Sequence, residues 1–132
     1  AATGLVPAAL VQRWRTAGTD TGLWQYTPVV IHGSLASDAV LTSGDEVTGL
    51  LDWHGLRVGD PAIDLQWLLG AADDTVDTAL SAYEGARGPV DLRLRQRAAL
   101  LSELEVARWL LHGTEVRSTE IVDDAVEMLS EL

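Results

Sequence analysis

Segments with strand character are confined to positions 29–51, and every periodic segment after Gly59 repeats at helical spacing. Val29-Val30-Ile31 reads as a short buried strand, with three β-branched residues in a row. Val40-Leu41-Thr42 and Val47 to Leu51 read as a hairpin turned by Ser43-Gly44-Asp45. Upstream, Pro7 to Ala17 predicts a helix with Leu10, Val11 and Trp14 at helical spacing and Gly18 as its stop. A loop over 19–28 carries Trp24 and Tyr26. Downstream, Asp60 caps a helix from Pro61 with Ile63, Trp67 and Leu68 inward, and Asp73 caps a second that Gly88-Pro89 ends. Asp91 opens a long helix with Leu94, Leu101, Leu104, Trp109 and Leu111 as its apolar surface, ending at Gly113. Ser118 caps a last helix striped by Ile121, Val122, Ala125, Val126 and Leu129. Strands first and a helical cluster afterwards predict an α+β fold, and 132 residues predict one domain spanning 1–132.

Composition narrows the partners. No apolar run approaches the ~18 residues of a membrane span, so no membrane association is expected. Ala1 to Leu10 lacks a positive n-region, and the chain has no cysteine; a cytoplasmic location is the expectation. The net charge is −11, which repels phosphate backbones. The one basic group, Arg93, Arg95 and Arg97 next to Arg87, does not share a helix face. Nucleic acid is therefore not an expected partner. All nine basic residues are arginine, and neither glycine-rich phosphate-loop pattern occurs. A nucleotide site made from this chain alone lacks the lysine such sites set against the phosphates.

One stretch speaks of chemistry. His32-Gly33-Ser34-Leu35-Ala36-Ser37-Asp38-Ala39-Val40-Leu41 is followed by Leu51-Asp52-Trp53 and then Gly59-Asp60-Pro61-Ala62-Ile63-Asp64-Leu65. Phosphoryl transfer in kinases spaces an aspartate base, an asparagine metal ligand and an aspartate metal ligand along such a strand-loop-hairpin. The hairpin brings Asp52 back beside the end of the 29–31 strand, so Ser34, Ala39 and Asp52 can line one cleft.

This stretch resembles the C-terminal lobe of the aminoglycoside and macrolide phosphotransferases, which share a fold with choline kinase and are distant relatives of protein kinases. The resemblance rests on His32, Gly33, Leu35, Val40, Leu41, Asp52, Trp53, Gly59, Asp60, Pro61, Asp64 and Leu65. The Arg13-Trp14 helix, the Trp24 loop and the tail around Asp123-Asp124-Ala125-Val126 are similar to the macrolide branch. It implies a protein-kinase-like C-terminal lobe, mostly helical, with a short strand and hairpin around the catalytic loop. It implies ATP and magnesium as cofactors of an intact member. It also implies an N-terminal nucleotide lobe, which is expected to be absent from this chain.

The departures set the functional expectation. The resemblance implies a catalytic aspartate at 34 and a metal-binding asparagine at 39, where the chain has Ser34 and Ala39. A hydroxyl cannot serve as the carboxylate base, and losing a general base costs about 10²- to 10⁴-fold in rate. Ser34 and His32 are thus the candidate catalytic positions, Ser34 in degenerate form, with His32 also able to bond backbone as a structural ring. Asp52 is the candidate metal ligand and Ala39 the degenerate one. Trp53 is the candidate cofactor contact, and Asp64 and Asp60 are structural. Asp38 as a substitute base competes with its role in shaping a turn. A hydrolase built on Ser34, His32 and Asp52 lacks the nucleophile elbow. The expectation is a phosphotransferase-like chain, inactive and without cofactor by itself. The alternative is a non-catalytic binding or dimerisation module that uses the exposed inter-lobe surface. Its partner is a second copy, or a separate chain supplying the missing lobe, which could also complete an active kinase in trans.

Overall fold

The structure, a computed structural model, describes residues 3–132, so the first two positions of the Ala1–Leu10 stretch lie outside the described residues. The architecture is α+β. By its internal contacts the chain divides into two compact units, Ala1–Trp24 with Leu100–Leu132, and Gln25–Ala99.

The first unit is helical. It holds α1 (Ala8–Thr19), the later turns of α4 (Leu94–Glu115) and α5 (Thr119–Ser130). Leu10, Leu110, Ala125 and Leu129 are buried together, with Trp14, Val106, Val122 and Val126 packed around them. Apolar burial of this kind stabilises by roughly 1.5–3 kcal/mol per large side chain. Glu103 ties α4 to α1, accepting from Arg13 Nη2 at 2.6 Å and from Trp14 Nε1 at 2.9 Å. Helix α1 continues through Gly18 to Thr19. What ends it is Asp20, whose Oδ1 accepts the N–H groups of Gly22 and Leu23 and commits the chain to a turn.

Gly113 likewise does not end its helix, which runs on to Glu115. A Cβ placed on Gly113 would sit 2.7 Å from Ile121 Cγ2 and 3.1 Å from Val122 Cγ2. The glycine is there because α5 packs against that point of α4. The reversal between them uses Arg117 at φ 55 and the Ser118 hydroxyl, which accepts from Ile121 N at 3.3 Å. Leu110 is buried, and Trp109 and Leu111 on either side of it are 40% and 49% exposed. Neighbouring helical positions are rotated about 100° apart, so only one of the three can face the core.

The second unit carries the strands. β1 (Val29–Ile31) pairs antiparallel with β4 (Arg57–Gly59), and β2 (Val40–Ser43) with β3 (Glu46–Leu50). β4 is too short and polar to announce itself by pattern. Because β1 has a packed face on one side only, Ile31 is buried while Val30 is 73% exposed, against the expectation of a fully buried strand. Beyond β4 come α2 (Ala62–Leu65), a 3₁₀ stretch over Gln66–Gly70, and α3 (Asp73–Arg87). Ala62 and Leu65 are the inward residues of α2; Ile63, Trp67 and Leu68 are half-buried. Ala72 occupies the cap position of α3, so Asp73 serves as an acid in its first turn.

A buried ion-pair group fastens this unit. Arg97, fully buried, donates from Nε to Asp60 Oδ2 at 2.8 Å and from Nη1 to Asp91 Oδ1 at 2.6 Å. The Tyr26 ring lies under the guanidinium at 5.2 Å. Burial alone would lower the Arg97 pKa, but its hydrogen bonds to Asp91 and Asp60 reverse that and raise it. The Arg97 hydrogen bond holds Asp91 below the usual carboxylate range. Asp60 also accepts from Ala62 N at 3.0 Å, so one carboxylate both starts α2 and anchors the head of α4.

Arg97→Met should lose about 3–5 kcal/mol in urea unfolding, because it leaves Asp60 buried and uncompensated. The Asp91 contribution has a defined pH window. Its carboxyl titrates lower folded than unfolded, so its stabilisation is complete above pH ~4 and fades as pH falls through the lower folded value. The stability gap between wild type and Asp91→Asn should therefore narrow below pH ~4. Gly113→Ala should destabilise by about 1–3 kcal/mol despite alanine's better helix propensity. Adding Ile121→Ala to that variant should cost less than the two single changes summed.

Candidate active site

The site is a backbone construction before it is a set of side chains. β1 ends at Ile31, and the next two N–H groups both point at one carboxylate: His32 N donates to Asp64 Oδ2 at 2.8 Å and Gly33 N to Asp64 Oδ1 at 2.9 Å. Asp64 comes from α2, which Asp60 starts. Gly33 then turns at φ 89. A Cβ there would overlap the Gly55 carbonyl and the Arg57 guanidinium, so the loop closes against the 53–55 turn only because position 33 is glycine. Arg57 Nη1 in turn donates to Gly55 O at 2.9 Å.

His32 is buried, with both ring nitrogens engaged. Nε2 donates to the Leu51 carbonyl at 2.6 Å, which leaves Nδ1 as the acceptor for Ser34 N at 3.3 Å. Its ring lies 4.7 Å from that of Trp53, tilted by 53°. Ser34 Oγ is 3.4 Å from His32 Nδ1 and donates at 2.9 Å to the carbonyl of Asp52. The hydroxyl proton is thus directed at a backbone oxygen, away from the imidazole. The Ser34–His32 pair has no activated-nucleophile geometry.

Asp52 adopts a left-handed conformation, φ 60 and ψ 53, which aspartate tolerates better than most residues. Its carboxylate is exposed and bonds to no described residue. Trp53 is 49% exposed, with Nε1 bonded to the Leu50 carbonyl at 2.9 Å. Ala39 is 1% exposed in the 3₁₀ turn Ser37–Ala39, its carbonyl accepting Leu51 N at 2.8 Å. Asp38 and His54 are exposed.

His32, Ser34, Asp52, Trp53 and Asp64 therefore sit together, linked by hydrogen bonds and ring contact, and Ala39 is joined to the same hairpin through Leu51. Asp60 lies beneath, committed to Arg97. Arg57 was not among the sequence candidates. Its only sequence signal is that no other arginine falls between Arg15 and Arg87.

A magnesium ion with nucleotide phosphates, which the motif implies, needs oxygen ligands in near-octahedral array. Position 39 offers a buried methyl, and position 34 a hydroxyl already spent on a carbonyl. Asp52 presents an exposed carboxylate beside them, and Asp38, also exposed, lies in the turn that ends at Ala39. These residues do not supply the paired protein ligands of such a site. No described helix is long and apolar enough to cross a membrane.

Comparison with known proteins agrees with this architecture. The phosphotransferase enzyme family profile matches residues 2–101. The uncharacterized protein YcbJ of Bacillus subtilis (strain 168) is 30% identical over 106 residues, covering 77% of this chain and 33% of that protein. A solved macrolide 2'-phosphotransferase type I superposes with a TM-score of 0.76 at 29% identity, covering 94% of this chain and 42% of its own. APH(2")-IIia, solved with GDP and kanamycin, gives a TM-score of 0.79 at 25% identity over 97% of this chain and 45% of its own. The chain thus spans between a third and a half of the length of the relatives it matches. On its matched profile and its kinase-like fold, the chain belongs to the phosphotransferase enzyme family, with aminoglycoside and macrolide phosphotransferases as structural neighbours.

Proposed function

We propose that this chain retains the phosphotransferase loop as a scaffold and does not itself transfer phosphate. The observation that carries this reading is the Ser34 hydroxyl, which donates to the Asp52 carbonyl at 2.9 Å in the place where the motif implies an aspartate base. A hydroxyl so placed brings no negative charge to draw a proton from an acceptor alcohol. His32 offers no replacement, since one ring nitrogen serves Leu51 and the other accepts from Ser34. With Ala39 the second metal position is also silent. In an intact family member the acceptor class is a polyhydroxylated antibiotic or a related amino-alcohol, and the donor is a nucleoside triphosphate with magnesium. Aminoglycoside and macrolide neighbours, one of them bound to GDP and kanamycin, support that class.

The test is direct. Purified chain should show no phosphate transfer from Mg-ATP or Mg-GTP to kanamycin or a macrolide, and no magnesium-dependent heat on nucleotide titration. Turnover above a heat-treated control would overturn the proposal.

A second reading, a non-catalytic binding or dimerisation module, is favoured by one further observation. Val30 and Val58 face each other across β1 and β4 and are 73% and 67% exposed, with Leu56 at 54% beside them. Neighbouring exposed apolar side chains mark interaction surfaces when they form a contiguous patch. On this reading light scattering should give twice the 14.2 kDa chain mass, reduced to one chain mass by Val58→Glu. A monomer in wild type removes the homodimer.

A further inference from the structure

Away from the loop, a cavity of about 320 Å³ opens within the second unit, lined by Thr27, Pro61, Arg87, Pro89, Val90 and Asp91. Its volume lies at the small end of the range for organic ligand sites, roughly 300–1,000 Å³. Pro61, Pro89 and Val90 give it apolar walls.

Its charges are unequally matched. The Asp91 carboxylate is satisfied: Oδ1 accepts from Arg97 Nη1 and Arg93 N, and Oδ2 from Arg97 Nη2. Arg87 is different. Among the described residues its guanidinium pairs with no carboxylate and lies 5.9 Å from the centre of the Tyr83 ring. Arg13, Arg95, Arg97 and Arg108 hold carboxylate partners, while Arg15, Arg57 and Arg117, like Arg87, show none among the described residues; of these four, Arg87 is the one that lines the cavity. The Thr27 hydroxyl likewise has no hydrogen-bond partner among the described residues. The cavity lining thus offers a cation with no carboxylate partner and a hydroxyl with no hydrogen-bond partner among the described residues, both on solvent-exposed residues.

A helix-end role accounts for part of this. Arg87 is the last residue of α3, where a cation suits the dipole. That role explains the charge but not the cavity beside it. Gly88, at φ 100, turns the chain immediately after Arg87, and Pro89 to Asp91 then form the remaining wall.

We propose that this cavity binds a small organic anion, a carboxylate or phosphate monoester with a body about the size of one ring. Arg87 takes the charged head in a forked pair of hydrogen bonds, Thr27 donates a third, and the prolines and Val90 cover the ring. The site depends on no residue of the 32–53 loop, so it stands or falls apart from the reading of that loop.

The experiment is a titration of the purified chain followed by amide chemical shifts, with benzoate, phenyl phosphate and neutral benzyl alcohol as probes. Saturable shifts at Thr27, Arg87, Val90 and Asp91 are expected with benzoate or phenyl phosphate, and which of the two binds tighter identifies the head group. Arg87→Gln should weaken binding about tenfold or more, and Arg117→Gln should leave it unchanged. Val90→Trp, which fills the cavity, should abolish binding even if Arg87→Gln disturbs the fold. Absence of saturable shifts up to about 10 mM, equal binding of benzyl alcohol, or unaltered affinity in Arg87→Gln would each overturn the proposal.

Discussion

One carboxylate, that of Asp64, receives the N–H groups of His32 and Gly33 and so decides where β1 delivers its loop. Charge-assisted bonds to an aspartate are among the stronger hydrogen bonds available, and two from consecutive residues fix direction as well as position. From that anchor the imidazole of His32 reaches the Leu51 carbonyl, and Leu51 N returns to the Ala39 carbonyl. The hairpin is thereby pinned to the strand end by backbone groups and one imidazole.

The same logic operates one layer down. Asp60 is four residues before Asp64 and answers to Arg97, thirty-seven residues later, while Asp91 takes the other side of the same guanidinium. A buried cation between two acids is costly to desolvate and poorly tolerant of losing a partner. It buys definition: α2, which carries Asp64, cannot drift without breaking that pairing. The geometry of the loop thus traces back to an arginine far along the chain.

Much of the fold was readable from the sequence because it rests on local patterns. The α5 stripe of Ile121, Val122, Ala125, Val126 and Leu129 declares a helix by spacing, and Ser118 marks its start. The hairpin at 40–50 was equally plain from its turn residues. What escaped depends on tertiary partners. β4 is three residues whose strand character comes from pairing with β1. Gly113 looks like a helix end until Ile121 is placed against it. Arg97 reads as one of a basic group with Arg93 and Arg95 until Asp60 and Asp91 close on it. At the candidate site, the motif pointed to positions 32, 34, 39, 52, 53 and 64, but no pattern foretells that the Ser34 hydroxyl turns toward the Asp52 carbonyl.

Gly33 carries a consequence of its own. Its backbone fits under the Gly55 carbonyl with no room for a side chain, so main-chain contacts hold the loop in shape whatever stands at 34 and 39. Reactivity and form are then under separate control. Drift can erase the first while leaving the second intact. For chains of this kind, superposition measures ancestry, and only the few atoms projecting from the frame carry information about turnover.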